Sequence, residues 1–445
     1  MFPRKFLIAL ILLFCPALAA AQTTAGRISG TVADPAKSVI PGAKVIAVSN
    51  ETGQQYTAVT GEQGQYMLYP LPSGTYSLTV SKEGFGIQRV ERIKVSVADH
   101  ITRNFVLEVG GEVIAQVTIT AGAESELQQA PVVQSTVVRE QIANLPLNDR
   151  DYNQLILLAA GAVENIGSGN GRDFGAVAVN GNRAFSNDYL LDGTPNNDLY
   201  QGRSALPISV DVIGEFKVTS NVSPAEYGQA GTQVSVVTRR GANRFRGSLF
   251  EFYRGNQLEA RDPFNPGESA PFRRHQFGGS LGGPVLLPGY SGRNRTFFFA
   301  NYEGNREQQE VTRVATVPLD EFWQGDFSSL LARNIQLRDP LLPNRPLIPG
   351  NRLDTYLNGS RINQTAIKLK PFWGSPTQSG LANNAVRFGK NVNDIDQFTI
   401  RLDHKLAGSH SLSLRHSSSY NDASTPSILA NGSGLLTQST ITMRP

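Results

Sequence analysis

The sequence predicts a mainly β protein assembled from several units. Glycine (43) and proline (25) are plentiful, and they cluster between short runs in which apolar and polar residues alternate. Helical periodicity is confined to brief stretches, with no heptad pattern of any length. The one long apolar run stands at the start of the chain and is too short to cross a membrane as a helix, which takes about 20 residues. At 445 residues there is room for roughly two or three domains.

Residues 1–21 read as a secretory signal peptide. Arg4 and Lys5 form a basic start, residues 6–14 an apolar core, and Pro16 a break before the small residues Ala17-Leu18-Ala19 or Ala19-Ala20-Ala21. Bulky Phe14 stands where a lipidation signal at Cys15 would want a small residue. Cleavage removes the only cysteine, so a disulfide, a thiolate nucleophile and a zinc–cysteine site are all excluded from the mature chain. The net charge of +4 arises from 41 basic and 37 acidic residues. These are interspersed rather than gathered into a basic run, which argues against nucleic-acid binding. His100, His275, His404, His410 and His416 lack metal-ligand spacing. The glycines of Gly167-Ser168-Gly169-Asn170-Gly171 match neither a phosphate-binding loop nor a dinucleotide fingerprint. The chain is therefore expected to have no catalytic residue, no metal site and no cofactor.

Residues 26–108 alternate β-rich runs (27–32, 43–48, 55–60, 65–68, 75–81 and 101–107) with turn clusters such as Pro41-Gly42 and Pro72-Ser73-Gly74. Six or so short strands at this spacing describe a small β-sandwich. Ile28-Ser29-Gly30-Thr31-Val32, Ile40-Pro41-Gly42-Ala43-Lys44-Val45, Gly64-Gln65-Tyr66, Leu71-Pro72-Ser73-Gly74-Thr75-Tyr76 and Gly84-Phe85 together resemble the carboxypeptidase regulatory-like domain. That resemblance implies a transthyretin-like, carbohydrate-binding-like sandwich. It implies no peptidase activity, since a catalytic zinc motif is missing from the sequence.

Residues 109–131 form a linker containing Gln116-Val117-Thr118-Ile119-Thr120-Ala121. Its β-branched alternation suits it to add as a strand to another protein's sheet edge, and it also resembles a TonB box. An equally open reading makes it the last strand of the sandwich followed by a linker. Over 132–240 a short amphipathic helix is expected before Pro146, then strands around Val179, Tyr189-Leu190-Leu191 and 234–238. The order of Leu145-Pro146-Leu147-Asn148, Leu190-Leu191-Asp192-Gly193, Glu215-Phe216-Lys217-Val218 and Ala225-Glu226-Tyr227-Gly228 is similar to the α+β plug domain of Oar-like TonB-dependent receptors. Asp149 departs from that pattern, where glycine is usual. By position in the motif, Asn180, Asn182, Arg183, Asn187, Asn196 and Asn197 are expected in apical, ligand-facing plug loops; ordinary surface turns account for them equally well.

From residue 241 to 445 the pattern fits the start of an antiparallel transmembrane β-barrel. Phe398, Ile400 and Leu402 fall on one face of a strand, and Gln397, Thr399, Arg401, Asp403 and Lys405 on the other. A soluble hairpin would show the same alternation. Aromatics are dense at Phe250, Phe252, Tyr253, Phe297, Phe298, Phe299 and Tyr302, as expected of girdles at a barrel rim or of a sandwich core. Residues 317–391 are expected to be a long extracellular loop. Gly247-Ser248-Leu249-Phe250-Glu251-Phe252 and Phe277-Gly278-Gly279-Ser280-Leu281-Gly282-Gly283-Pro284 resemble the entry to an Oar-like barrel. Such barrels close with about 22 strands, whereas this stretch holds about six to eight, so the chain is expected to be the N-terminal portion of a receptor. The resemblance implies uptake of an unidentified extracellular ligand across the outer membrane. Its implied partners are TonB with its inner-membrane energising complex and the outer-membrane lipid, with the sandwich in the periplasm. The alternative is an envelope module that binds a glycan or protein without transporting it.

Overall fold

The computed structural model describes residues 25–110, 115–117, 133–164, 177–198, 202–220, 231–258, 271–406, 410–426 and 440–442. The first unit contains strands β1 (Gly26–Ala33), β2 (Lys44–Ser49), β3 (Gln55–Val59), β4 (Gln65–Leu71), β5 (Gly74–Ser81), β6 (Gln88–Val95), β7 (His100–Thr102) and β8 (Phe105–Val106). They form two sheets, one ordered β4-β1-β7 with β8 also on β1, the other β3-β2-β5-β6. Ile28, Val32, Val45, Ala47, Leu68, Leu78, Val80 and Phe105 fill the space between them, as alternation places one side of each strand inward. Strand β6 is absent from the sequence reading, and Arg92 gives the reason. It adopts a left-handed φ of 60°, the register against β5 shifts beside it, and Val90 and Val95 both end up buried. Alternation cannot be continuous across such an irregularity. The coupling candidate begins on this sheet: β9 (Ala115–Val117) lies parallel to β6, with Gln116 opposite Arg89 and Val117 opposite Val90.

The second unit is α+β. Strand β10 (Val133–Val138) leads into helix α1 (Arg139–Asn144), which buries Ile142 and stops at Leu145. Pro146 disfavours helical geometry in the residue before it, so the helix ends where the sequence requires. Strands β11 (Asp188–Leu191), β12 (Ile213–Ser220) and β13 (Gln233–Thr238) complete a sheet ordered β10-β12-β13-β11, with Thr194–Pro195 at its edge. Val137, Tyr152, Leu155, Ile156, Phe216, Val218, Val234 and Val236 make its core.

The third unit is a single antiparallel wall of β14 (Arg246–Gly255), β15 (Phe272–Pro284), β16 (Thr296–Ala315), β17 (Ala385–Lys405), β18 (Ser411–Ser424) and β19 (Thr440–Thr442), each paired to the next. β16 and β17 reach 20 and 21 residues, about twice what a bilayer demands. Residues 385–391, read from sequence as loop, are wall. The segment between β16 and β17 is ordered by its own polar side chains. Asn351 bonds Leu337 N and Ile335 O, and Asn384 bonds Val317 N and Val317 O.

Burial decides between lipid and water. Phe398, Ile400 and Leu402 are 40%, 44% and 38% exposed, while Thr399, Arg401 and Asp403 on the opposite face are 2%, 3% and 9% exposed. Leu249, Leu281, Leu412 and Leu414 continue the exposed apolar face. A soluble hairpin buries its apolar row; this wall buries its polar row against the second unit and presents the apolar row outward, as a lipid-facing wall does. The aromatics divide between the two faces. Phe297 and Phe299 are buried, Phe299 joins the core of the second unit, and Phe250 and Phe252 lie against Arg150. Part of the expected girdle is thus internal packing, while Phe252, Tyr253 and Tyr302 remain exposed. Replacing Ile400 by lysine should cost about 2–4 kcal/mol in a bilayer, measured by denaturant titration of protein folded into lipid vesicles. The same change at Asn393, on the inner face, should cost much less.

The sandwich touches both other units through polar groups. Val97 N–H donates to Glu215 Oε1 (3.2 Å), and Lys217 Nζ donates to Val97 O (2.7 Å) and pairs with Asp99 Oδ1 (3.2 Å). Asn243 Nδ2 donates to Thr52 O (2.8 Å), and Lys405 Nζ to Gln55 O (3.2 Å). Burial raises the Glu215 carboxyl above its ordinary value of 4.5, against the opposing effects of bonds from Val97 N–H and the Ser96 hydroxyl; Asp99 raises it further and Lys217 lowers it. A carboxyl raised in the docked state and ordinary in the free state takes up a proton on docking. Its contribution is therefore complete below 4.5 and is lost as pH rises through the raised value. Amide exchange of residues 96–99 should accordingly be slower at about pH 5 than at about pH 7, after correction for intrinsic rates, and a Glu215→Gln chain should show a smaller difference.

Candidate ligand cleft and its anchoring

Two sets of buried charges fix the second unit against the wall. The turn Asn148–Arg150 places Asp149 and Arg150 at φ 57° and 53°, the left-handed region. That geometry favours glycine, and aspartate is one of the few side chains that tolerate it. Asp149 uses its carboxylate to pair with Arg274 of β15, which also pairs with Glu307 of β16. Arg150 donates through Nε to Glu303 Oε1 (3.0 Å) and through Nη2 to Asp211 Oδ2 (2.7 Å), with its guanidinium 4.2 Å from the Phe250 ring centroid. Ser209 donates to the other oxygen of Glu303.

The second set centres on Asp192, in the turn after β11. It accepts from Thr238 N (2.9 Å) and Thr238 Oγ1 (2.7 Å) and pairs with Arg401 Nη1 (3.1 Å) and Arg415 Nε (2.9 Å). Arg401 also engages both oxygens of Asp403 (2.9 and 3.0 Å). Sequence periodicity placed Arg401 and Asp403 on the polar face without indicating their partner, because Asp192 lies in another unit.

Between the second unit and the wall opens a cleft of about 470 Å³. Asp151, Asn153, Asp198, Arg203 and Ser204 line one side, and Gln276, Glu303, Asn305, Asn393, Gln397, Ser419 and Asn421 the other. Polar side chains predominate among these, with Ala205, Pro207, Ile208 and Ile395 adding apolar patches to the lining. The wall residues come from four neighbouring strands and alternate in sequence, so cross-strand pairing, invisible in one dimension, assembles them.

None of the six residues expected in apical loops lines this cleft. Asn187 Nδ2 donates to Val177 O (2.6 Å). Asn196 bonds Leu206 through both its donor (3.2 Å) and its acceptor (2.9 Å). Asn197 accepts from Tyr189 N (2.7 Å) and donates to Asp188 (2.7 Å). Asn196 and Asn197 thereby hold the hairpin that carries Asp198, Arg203 and Ser204 to the cleft, and Asn187 ties the start of β11 to Val177. Asn180 occupies a left-handed turn position and its N–H donates to Gly161 O (2.9 Å); Asn182 and Arg183 are exposed beside it. Of the coupling candidate, Gln116 and Val117 lie in β9, and Thr118, Ile119, Thr120 and Ala121 lie outside the described residues.

Comparison with known proteins gives two family matches, to the carboxypeptidase regulatory-like domain over residues 27–108 and to the outer membrane beta barrel domain over 237–444. The chain is 30% identical over 315 residues to the TonB-dependent transporter Oar of Myxococcus xanthus, an alignment covering 66% of this chain and 28% of that protein. The chain thus spans little more than a quarter of the relative's length. Among solved structures, the ferric enterobactin receptor of Pseudomonas aeruginosa aligns over 69% of this chain and 35% of its own, at 15% identity and a TM-score of 0.36. A carbohydrate-binding protein from Bacteroides uniformis aligns over 18% of this chain and 40% of its own, at 17% identity and a TM-score of 0.17.

Removing one member of a buried, completed ion-pair set leaves an uncompensated charge. Arg401→Ala takes the bidentate guanidinium from Asp403 and leaves Asp192 with Arg415 as its remaining ion pair, and should destabilise the protein by about 3–5 kcal/mol, read from its denaturant midpoint in detergent micelles. Arg415→Ala, at a less buried member, should cost less.

Proposed function

This chain is a homologue of a TonB-dependent transporter, with a carboxypeptidase regulatory-like domain ahead of an outer-membrane β-barrel domain, and we propose that it acts as an energy-coupled outer-membrane receptor. The second unit, residues 132–240, is the plug. The cleft between plug and wall holds the extracellular ligand, Gln116–Ala121 is the segment that TonB engages, and the sandwich faces the periplasm. The observation that carries this reading is the inverted wall, with leucines and phenylalanines outward and a charged face turned onto a plug-like unit through Arg401–Asp192 and Arg150–Glu303. A sandwich that only bound a glycan or a protein would have no use for either feature.

In this reading the receptor makes no covalent change to its cargo. It alternates between states that bind ligand differently, and the coupling partner biases the exchange. Strand addition by TonB requires backbone N–H groups along the coupling segment, and proline removes one while fixing φ. Ile119→Pro should weaken binding of TonB's isolated periplasmic domain to the full chain in detergent by at least about tenfold, measured by biolayer interferometry, whereas Ile119→Val should leave it unchanged. Equal binding by the wild-type and proline chains would remove 116–121 from the coupling role.

A further inference from the structure

The linker proposed to be pulled is tied at both ends. On one side β9 is paired to β6 of the sandwich over three residues; on the other β10 is paired to β12 of the plug over six. The sandwich is in turn seated on that same strand β12. Phe216 and Val218 point into the plug core, while Glu215 and Lys217 between them point the other way and are buried. Their described partners are Val97 and Asp99 of the sandwich. Val97 is itself 2% exposed yet belongs to neither hydrophobic core among the described residues. The second foothold is the hairpin at Glu51–Gly53. Asn243 N–H donates to Glu51 O (3.2 Å), Asn243 Nδ2 to Thr52 O (2.8 Å), and Asn294, bonded to Asn243, crowds Gly53 so closely that a Cβ there would lie 2.3 Å from Asn294 Oδ1.

We infer that the sandwich is a detachable clamp on the periplasmic side of the plug: docked, it covers β12 and holds the start of the coupling segment at its own sheet edge, and engagement of that segment by TonB releases it. This rests on the reading of 116–121 as the coupling segment. The chemistry of the contact favours release. Both footholds are joined by charges and polar groups, each of which regains water on separation, with Val97 the buried apolar residue named at the contact. Under load on the linker, the three-residue pairing of β9 is also the shorter of the two attachments and gives way before β10 leaves the plug.

A segment that must be released before it can bind shows an apparent affinity reduced by the fraction of chains in which it is already free. Loosening the clamp should therefore tighten binding. The test compares wild-type chain, Lys217→Ala/Asn243→Ala and Lys217→Arg, each in detergent with TonB's isolated periplasmic domain as the probe. The double variant should bind the probe roughly tenfold more tightly, and Lys217→Arg should resemble wild type. In the wild-type chain, bound probe should raise amide exchange at residues 51–53 and 96–99 while β1, β2 and β5, in the sandwich core, stay protected and show that the unit remains folded. Equal affinities, with 51–53 and 96–99 protected in the complex, would overturn the clamp and leave coupling intact. Failure of every chain to bind the probe would overturn the coupling reading and the clamp with it.

Discussion

Arg401 is the point on which the arrangement turns. Its guanidinium is almost fully buried and is met by Asp192, Asp403 and the Thr238 hydroxyl, so one cation ties wall strand β17 to two elements of the second unit. A wall whose polar face is turned inward needs partners for its charges, because an ion removed from water without compensation costs several kcal/mol. Asp192 provides that compensation only if the plug stands at one height and one rotation within the wall. The other features follow from this registration. Arg150 reaches Glu303, Asp149 reaches Arg274, Phe299 of the wall enters the plug core, and the space left above these contacts is the cleft.

Much of the fold was legible in the sequence because its elements announce themselves locally. The helix before Pro146, the strands of the sandwich, and the alternation through Phe398 to Asp403 all follow from residue types and spacing. Two kinds of information were not local. Strand β6 was hidden by the irregularity at Arg92, which breaks the alternation that would have revealed it. The direction of the wall was hidden because alternation has the same period whether the apolar row faces lipid or a core; only the burial of Thr399, Arg401 and Asp403 separates the two.

The candidate site was less legible, for a related reason. Polar, glycine-rich turns pointed to Asn187, Asn196 and Asn197, yet an asparagine side chain has both a donor and an acceptor and is as well suited to satisfying a turn's backbone as to meeting a ligand. Here the three are engaged in holding turns. The cleft residues carry no motif of their own. Asn305, Gln397, Ser419 and Asn421 look in sequence like ordinary polar positions of four strands' inward faces, and only register brings them to one cleft. Asp149 is the exception that could have been found: aspartate is among the few side chains that tolerate a left-handed turn position, and here its carboxylate pairs with Arg274.

The joints between the three units are of different kinds, and the differences order how they can part. The second unit and the wall share a hydrophobic core through Phe299 and two sets of buried and partly buried ion pairs, so separating them exposes apolar surface and strands charges together. The sandwich and plug share hydrogen bonds and one ion pair, each made to a group that water can satisfy. Apolar burial and buried charge are both expensive to undo in stages, since a half-open contact keeps the cost and loses the compensation. The sandwich contact buries Lys217 and Glu215 as well, but among the described residues it shares no hydrophobic core cluster with the second unit, so less is lost when it opens. In the proposed reading, force that enters through the linker meets the sandwich joint as the more yielding one, while the joint between the second unit and the wall resists.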